Sequence, residues 1–106
     1  METYIILSKI SPDAISEPAE LPALAGRVCG KIKTLCPEVV WKDSYAILGR
    51  FDVLDIIEAP SREAAEKAAL VIRSYGHATT ETLSVTPWKK FVESLATERE
   101  AVAGKV

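Results

Sequence analysis

The sequence predicts an α+β domain in which four strands form one antiparallel sheet, two helices cover one of its faces, and a third helix ends the chain. Three observations predict this fold. Apolar runs typical of strands are interrupted twice by segments whose apolar residues lie three or four apart, as in helices. These segments follow the order β-α-β-β-α-β plus a helix. A length of 106 residues suffices for one core, so residues 1–106 are treated as a single domain.

The first strand and the first helix are predicted from their apolar residues. The β-branched and aliphatic run TYIILSK predicts a strand over residues 3–9, and the prolines of SPDAISEP predict a loop over 11–18. The helix after the loop ends before Pro37, and Gly30 within it is expected to let a neighbouring backbone come close. Its stripe of apolar residues consists of Leu21, Leu24, Ala25, Val28, Cys29, Ile32, Leu35 and Cys36.

Two strands with a tight connection follow. Strand two is predicted within VVWKDSYAIL, residues 39–48, where the polar residues 42–44 predict a bulge or a frayed edge. Strand three is predicted within GRFDVLDIIEAP, residues 49–60. It contains Asp52 and Asp55, which lie on opposite faces because strand side chains alternate.

The last elements are a second helix, a fourth strand and a third helix. Ser61 is placed to cap the second helix, which has mostly small apolar residues on its buried side, and Gly76 is expected to end it in a left-handed conformation. HATTETLSVT, residues 77–86, predicts strand four. Thr86 and Pro87 then predict the start of a third helix with an apolar stripe.

This order of elements is that of a ferredoxin-like βαββαβ sandwich, with strands in the spatial order 4-1-3-2. Strands one and three are then central, and they are apolar on both faces, although the helices cover only one face. An uncovered apolar face of this size marks an interaction surface. A second copy of the chain can cover it by two-fold symmetry, so we expect a homodimer and leave higher oligomers open. Partial cover by the third helix is the alternative.

Composition and charge exclude several partners. The net charge is −2 without a block of like charges, which argues against a nucleic-acid partner. The apolar run near the start is too short to cross a bilayer and follows no basic segment, so we expect no membrane association and a cytoplasmic location. Cys29 and Cys36 are about 10 Å apart along one helix, beyond bridging distance. They are predicted to be buried free thiols, and no metal site or cofactor is expected.

Three segments resemble the GYD-domain family, named for a Gly-x-Tyr-Asp core. They are LGRFDVLDIIEAP at residues 48–60, GHATTETLSVTP at 76–87, and YIILSKIS near the start. One position departs from the family pattern: Phe51 stands where tyrosine is usual, so any role of that hydroxyl is lost. The residues that match the pattern are Gly49, Asp52, Glu58, Pro60, Thr80, Glu81 and Thr82. The resemblance implies a dimeric α/β-barrel, in which two sheets pack face to face, but it implies no particular reaction.

Five residues are candidates for a site. Asp52 is the first choice, because a carboxylate among apolar neighbours needs a specific partner; the structural alternative is that it accepts hydrogen bonds from the tight Gly49–Arg50 connection or pairs with a basic side chain. His77 is the other candidate acid or base, with helix capping as its alternative. Phe51, Tyr4 and Glu81 are candidate ligand contacts, against packing roles for the aromatic rings and a salt bridge for Glu81.

We therefore expect a homodimer that binds a small apolar or aromatic molecule between its two sheets. Two alternatives stay open. The first is a cofactor-independent oxygenase or isomerase on the same scaffold, with Asp52 or His77 as the base. The second is an interaction module whose dimer interface is fully packed and holds no ligand.

Overall fold

The elements occur in the predicted order. The structure is a computed structural model that describes the backbone of residues 1–103 and the side chains of residues 1–96. A short 3-10 turn, Pro18–Glu20, precedes the first helix. The strands and helices are β1 Glu2–Ile10, α1 Leu21–Leu35, β2 Val40–Ala46, β3 Val53–Ala59, α2 Arg62–Gly76, β4 Ala78–Val85 and α3 Trp88–Ala103.

The four strands form one antiparallel sheet in the order β2-β3-β1-β4, which confirms the predicted topology. The central strands are β1 and β3, the two most apolar segments, as the sequence predicted. The register of β2 against β3 shifts between Trp41 and Asp43, where the polar residues predicted an irregularity. Strand β3 begins at Val53, so Asp52 precedes the strand instead of lying within it.

The two faces of the sheet differ in their cover. Tyr4, Ile6 and Ser8 of β1 lie on the face that α2 covers, and so do Asp55 and Ile57 of β3; these side chains are buried. We call this the covered face. The opposite face is called the open face, since none of the described residues of the three helices packs on it. Its central residues are Ile5, Leu7, Leu54, Ile56, Glu58, Glu81 and Leu83.

Helix α2 packs tightly on the covered face. Its N-cap is Ser61, whose hydroxyl accepts a hydrogen bond from the Ala64 amide at 3.2 Å, as the sequence predicted. Small side chains such as Ala65 and Ala68 are completely buried and let the helix approach the sheet. The core lies between this helix and the sheet, where Ile6 and Ile57 are also fully buried.

Helix α1, in contrast, lies away from the sheet. It packs against α2, but in the described part of the chain its backbone does not come close to the backbone of any strand. Its most buried apolar side chains are Leu24 and Ile32. A helix that rests on its neighbour and not on the sheet leaves space beneath it.

Three local predictions need correction. A Cβ added at Gly30 would meet no neighbouring atom within 4 Å, so this residue does not mediate a close approach; Gly76 does, since a Cβ there would lie 3.2 Å from Val28 Cγ2. The left-handed residue after α2 is His77, with φ of 50°, and Gly76 is the last helical residue. Cys36 is buried as predicted, but Cys29, which borders the space beneath α1, is exposed; both thiols are free.

Candidate functional site

The space beneath α1 is a cavity of about 640 Å³. Its roof comes from α1 and is mostly apolar, while its floor is the covered face at the ends of β1, β2 and β3. The apolar roof side chains are Leu21, Leu24, Ala25, Val28 and Ile32. Apolar cavities of this size, with a few polar groups in their walls, are typical of small-molecule sites.

The floor carries a buried carboxyl group. Asp55 is only 7% exposed. Its Oδ1 accepts a hydrogen bond from Ser44 Oγ at 2.5 Å and another from Trp41 Nε1 at 3.3 Å. Trp41 Nε1 also donates to Ser44 Oγ at 2.9 Å, so the three side chains form a closed set of hydrogen bonds. The indole and the hydroxyl therefore hold the carboxyl group in place.

The electrostatic environment of Asp55 is unusual for a carboxylate. Burial raises the pKa of Asp55, and the hydrogen bonds from Ser44 and Trp41 oppose this shift only in part. Among the described residues, no basic side chain forms an ion pair with it. None of the hydrogen bonds of the described chain reaches its Oδ2. Asp55 thus has one satisfied oxygen and one that is free to take a partner.

Ser8 is the second polar group that lacks a partner. Its side chain lines the same cavity and is 3% exposed, and its Oγ has no hydrogen-bond partner among the described residues. An unpaired buried hydroxyl costs about 1–3 kcal/mol, so such groups are rare in folded proteins and need an explanation. A ligand that donates to or accepts from Ser8 would remove that cost.

Strand register brings these groups together. Ser44 of β2 pairs directly with Asp55 of β3, and on the other side Asp55 pairs with Ile6 of β1. Ser8 lies two residues further along β1, on the same face, which places it diagonal to Asp55 at about 7–8 Å between Cα atoms. The polar row therefore crosses three strands of the sheet beneath an apolar helix.

The cysteines and one lysine lie at the edge of the cavity. Cys36 and Cys29 line it, the first buried and the second exposed. Burial raises the pKa of the Cys36 thiol, so this sulfur stays protonated near neutral pH. Lys33 lines the cavity too, and its side chain reaches solvent. The described residues contain no group of three or more His, Cys, Asp or Glu side chains that could hold a metal ion.

Asp52 and Phe51 lie outside this cavity. Asp52 is exposed, and its Oδ2 accepts a hydrogen bond from the Ile10 amide at 2.7 Å, which joins the loop before β3 to the end of β1. Its own amide donates to the Ser8 carbonyl at 2.8 Å. Phe51 is half-buried beneath the Arg50 guanidinium, 5.1 Å from the ring centroid. The partner of Asp52 is thus a β1 amide, not the Gly49–Arg50 connection.

The other three predicted residues lie at different places in the fold and have different contacts. Tyr4 is buried on the covered face, away from the open face, and donates a hydrogen bond to Glu2 at 2.6 Å. Glu81 lies on the open face beside Leu7 and contacts Arg50 at 3.8 Å. His77 is exposed in the left-handed position after α2, and its carbonyl accepts from the Ser11 amide. The fold does not gather the five candidates into one site.

Sequence reasoning missed Asp55 and Ser8 as site residues. The alternation rule separated Asp55 from Asp52, but it did not show which face the helices cover. Two signals were present in the sequence. Asp55 shares its face with Ile57 and Ala59, and a small alanine is typical of a strand position beneath a closely packed helix. Ser8 follows Ile6 on the same face of a strand that is otherwise apolar there.

The open face is the second surface of interest. Ile5, Leu7, Leu54 and Ile56 lie next to one another on the two central strands and are half-buried. Leu83 on β4 extends this patch and is 38% exposed. Charged residues border it: Glu58 pairs with Lys42 and Glu81 with Arg50. An apolar centre with a polar rim is the usual composition of a protein interface.

Helix α3 offers further apolar surface. Trp88, Phe91, Val92 and Leu95 form a stripe along the helix and are all exposed. Over the part of α3 that the structure describes, the helix does not pack on the strands or on α1 and α2. The described part of α3 therefore does not cover the open face, which was the alternative to cover by a second copy of the chain. None of the helices, over the residues described, is long and apolar enough to cross a membrane.

Comparisons with known proteins give one family and one fold. The family model of the GYD domain matches residues 4–95. The crystal structure of the leucine response regulatory protein of Mycobacterium tuberculosis is similar over 81% of this chain, with a TM-score of 0.56 and 16% identity. The similar region is 51% of that protein, and at this identity the likeness concerns the fold alone. No curated protein matches the chain.

Proposed function

The chain belongs to the GYD-domain family, and we propose that it binds a small, mostly apolar molecule in the cavity between α1 and the covered face of its sheet. The observation that carries this proposal is the buried hydroxyl of Ser8, which has no partner among the described residues and lies in the wall of a mostly apolar cavity. Buried polar groups in proteins normally have a hydrogen-bond partner. A hydroxyl without one is expected in a site where a ligand supplies the missing partner.

The geometry of the cavity supports the same proposal. Its volume of about 640 Å³ falls within the range of roughly 300–1,000 Å³ that holds drug-sized ligands. The roof side chains supply apolar contact, and the floor supplies the polar groups Ser8 and Asp55 that can orient a ligand. Neither Asp52 nor His77 lines this cavity, so catalysis by these two residues is not part of the proposal.

Filling the cavity tests the proposal. Ala25→Trp places a large ring on a helix position that lines the cavity, whereas Ala23→Trp adds the same ring to an exposed position of α1 outside the lining. Binding is followed by the fluorescence of N-phenyl-1-naphthylamine, a neutral dye that brightens in apolar surroundings. We expect saturable binding to the parent and to Ala23→Trp, and at least a tenfold loss with Ala25→Trp. Absence of saturable binding to the parent would refute the proposal.

We further propose that the domain is a homodimer joined through the open face. The apolar patch around Leu54 and Ile56, with its charged rim, supports this assembly, and a second copy presents a patch of the same shape and polarity. Sedimentation velocity at several protein concentrations tests it: we expect a dimer at micromolar concentration, and a stable monomer would contradict it. Larger assemblies would appear in the same experiment.

A ligand between the two sheets of that dimer is the other proposed position. Dye binding distinguishes the two positions, because an inter-sheet site would persist in Ala25→Trp and disappear when the dimer dissociates. We also propose a cytoplasmic location, which the two free thiols of Cys29 and Cys36 support, since cysteines stay reduced there.

A further inference from the structure

The polar floor of the cavity indicates which ligands fit it. On the basis of the proposed function, we infer that the ligand is a primary amine with an apolar body, whose ammonium group binds Asp55 Oδ2 and Ser8 Oγ on the covered face. The inference rests on what these two groups lack in the structure and on where they lie relative to each other.

Asp55 has no ion-pair partner among the described residues, and Lys33, the one basic residue of the cavity lining, is exposed. Its Oδ1 already accepts from Ser44 and Trp41, which are neutral donors, and its Oδ2 accepts from none of the described residues. With 7% exposure, the carboxylate has lost most of its contact with water. A buried carboxylate without a cation is strongly unfavourable, and a group that brings both positive charge and N–H donors relieves this best.

Ser8 adds a second acceptor at a suitable distance. It lies diagonal to Asp55 across the β1–β3 pair, about 7–8 Å away between Cα atoms, so one small group between the two side chains can reach both. An ammonium group carries three N–H donors, enough for the carboxylate oxygen and the hydroxyl oxygen together. Rotation of the hydroxyl hydrogen about the Cβ–Oγ bond of Ser8 leaves a lone pair of its oxygen free to accept from such a group.

Other head groups fit less well. A carboxylate head would place a second negative charge beside Asp55 and would bind only if Asp55 were protonated. An alcohol head can donate one hydrogen bond to Oδ2, but it leaves the negative charge of Asp55 unpaired. The roof of α1 presents Leu24, Val28 and Ile32 to the cavity, and its one charged residue, Lys33, is exposed. The roof therefore favours an apolar body over a second charged group.

The experiment compares three small ligands of similar size. Isothermal titration calorimetry at pH 7 measures the binding of 2-phenylethylamine, 2-phenylethanol and 3-phenylpropanoate to the parent chain. Because hydrogen bonds to a charged group contribute more than neutral ones, we expect the amine to bind at least about tenfold more tightly than the alcohol. The carboxylate is expected to bind most weakly.

Matched variants test whether the preference for the amine depends on Asp55 and Ser8. Asp55→Asn keeps the shape of the side chain and removes its charge, so the amine and the alcohol should bind this variant within about threefold of each other. Ser8→Ala should weaken the amine by about fivefold. Asp13→Asn removes the same charge from an exposed loop position outside the cavity and should leave the preference unchanged. Retained binding of the alcohol shows that Asp55→Asn is folded.

Each outcome decides a separate question. Equal binding of the amine and the alcohol by the parent, or tightest binding of the carboxylate, would overturn the amine assignment while the cavity proposal stands. An amine preference that survives Asp55→Asn would overturn it too. If none of the three ligands binds and the neutral dye also fails, the cavity proposal itself falls.

Discussion

Removing the unpaired hydroxyl of Ser8 should stabilise the unliganded protein. The side chain is 3% exposed and its Oγ has no partner in the part of the chain that the structure describes, so the folded state bears the desolvation cost of a hydroxyl, about 1–3 kcal/mol. Ser8→Ala removes this cost but also the packing contacts of one atom, which are worth a few tenths of a kcal/mol to about 1 kcal/mol. We therefore expect a net gain of about 1 kcal/mol in the free energy of unfolding.

Urea unfolding measures this gain. The midpoint should move to higher urea with an unchanged slope, and the melting temperature should rise by about 4–8 °C for a domain of this size. Ser84→Ala is the matched control, because Ser84 lies on β4 and is exposed. This control should stay within about 0.5 kcal/mol of the parent.

The same substitution at Ser44 should have the opposite sign. The Ser44 hydroxyl donates to Asp55 at 2.5 Å and accepts from Trp41 at 2.9 Å, so Ser44→Ala deprives a buried carboxyl group of a donor. We expect a loss of about 1–2 kcal/mol. A Ser8→Ala protein that is less stable than the parent would refute the reasoning, since it would mean that a bound water or another group already satisfies the hydroxyl.

Three further predictions concern other features of the fold. Burial raises the folded-state pKa of Asp55 above its unfolded value near 4, so the free energy of unfolding should fall as pH rises from about 4 through the folded pKa. Urea unfolding at several pH values should show a smaller fall for Asp55→Asn than for the parent. Gly30→Ala should raise stability by about 0.5–1 kcal/mol because nothing obstructs its Cβ, whereas Gly76→Ala should gain less, since its Cβ meets Val28; equal gains in thermal unfolding would contradict this. A thiol reagent should modify exposed Cys29 rapidly and buried Cys36 only on unfolding, as mass spectrometry of the labelled peptides would show.

The topology was predictable because it depends on patterns that a sequence displays directly. Two strands that are apolar on both faces must be central, and the order β-α-β-β-α-β with right-handed crossovers leaves one arrangement that makes β1 and β3 the central pair. The capping serine before α2 and the irregularity in β2 were equally local: Ser61 and the polar residues near Asp43 act on their own neighbours. Local rules therefore predicted the elements, their order and most of their ends.

The site was not predictable because it depends on a distance between layers. The apolar stripe of α1 predicts a helix that packs on something, but the stripe is the same whether the helix lies on the sheet or stands away from it on α2. Asp52 drew attention because it is a carboxylate among apolar neighbours in the sequence, yet its carboxylate joins the loop to Ile10. Asp55 became a candidate only once the covered face and the space above it were known.

The cavity and the open face lie on opposite sides of one sheet, so binding and assembly should respond to different substitutions. Leu54 lies at the centre of the open face, paired with Leu7 and Tyr45 on the neighbouring strands. Leu54→Glu would bury one uncompensated charge per subunit in a two-fold interface, a cost of several kcal/mol that should raise the dimer dissociation constant more than about 100-fold. In the separated subunit the new carboxylate faces water, so the fold and dye binding in the cavity should persist.

Leu70→Glu is the matched control for Leu54→Glu, because Leu70 is a 52% exposed leucine on α2, away from the open face. Sedimentation velocity should show the parent and Leu70→Glu as dimers and Leu54→Glu as a monomer. If Leu54→Glu sediments like the parent, the open face is not the dimer interface. If Leu54→Glu dissociates and also loses the dye, while Ala25→Trp still binds the dye, the ligand lies between the two sheets. Dye binding by these two variants therefore shows on which side of the sheet the molecule is bound.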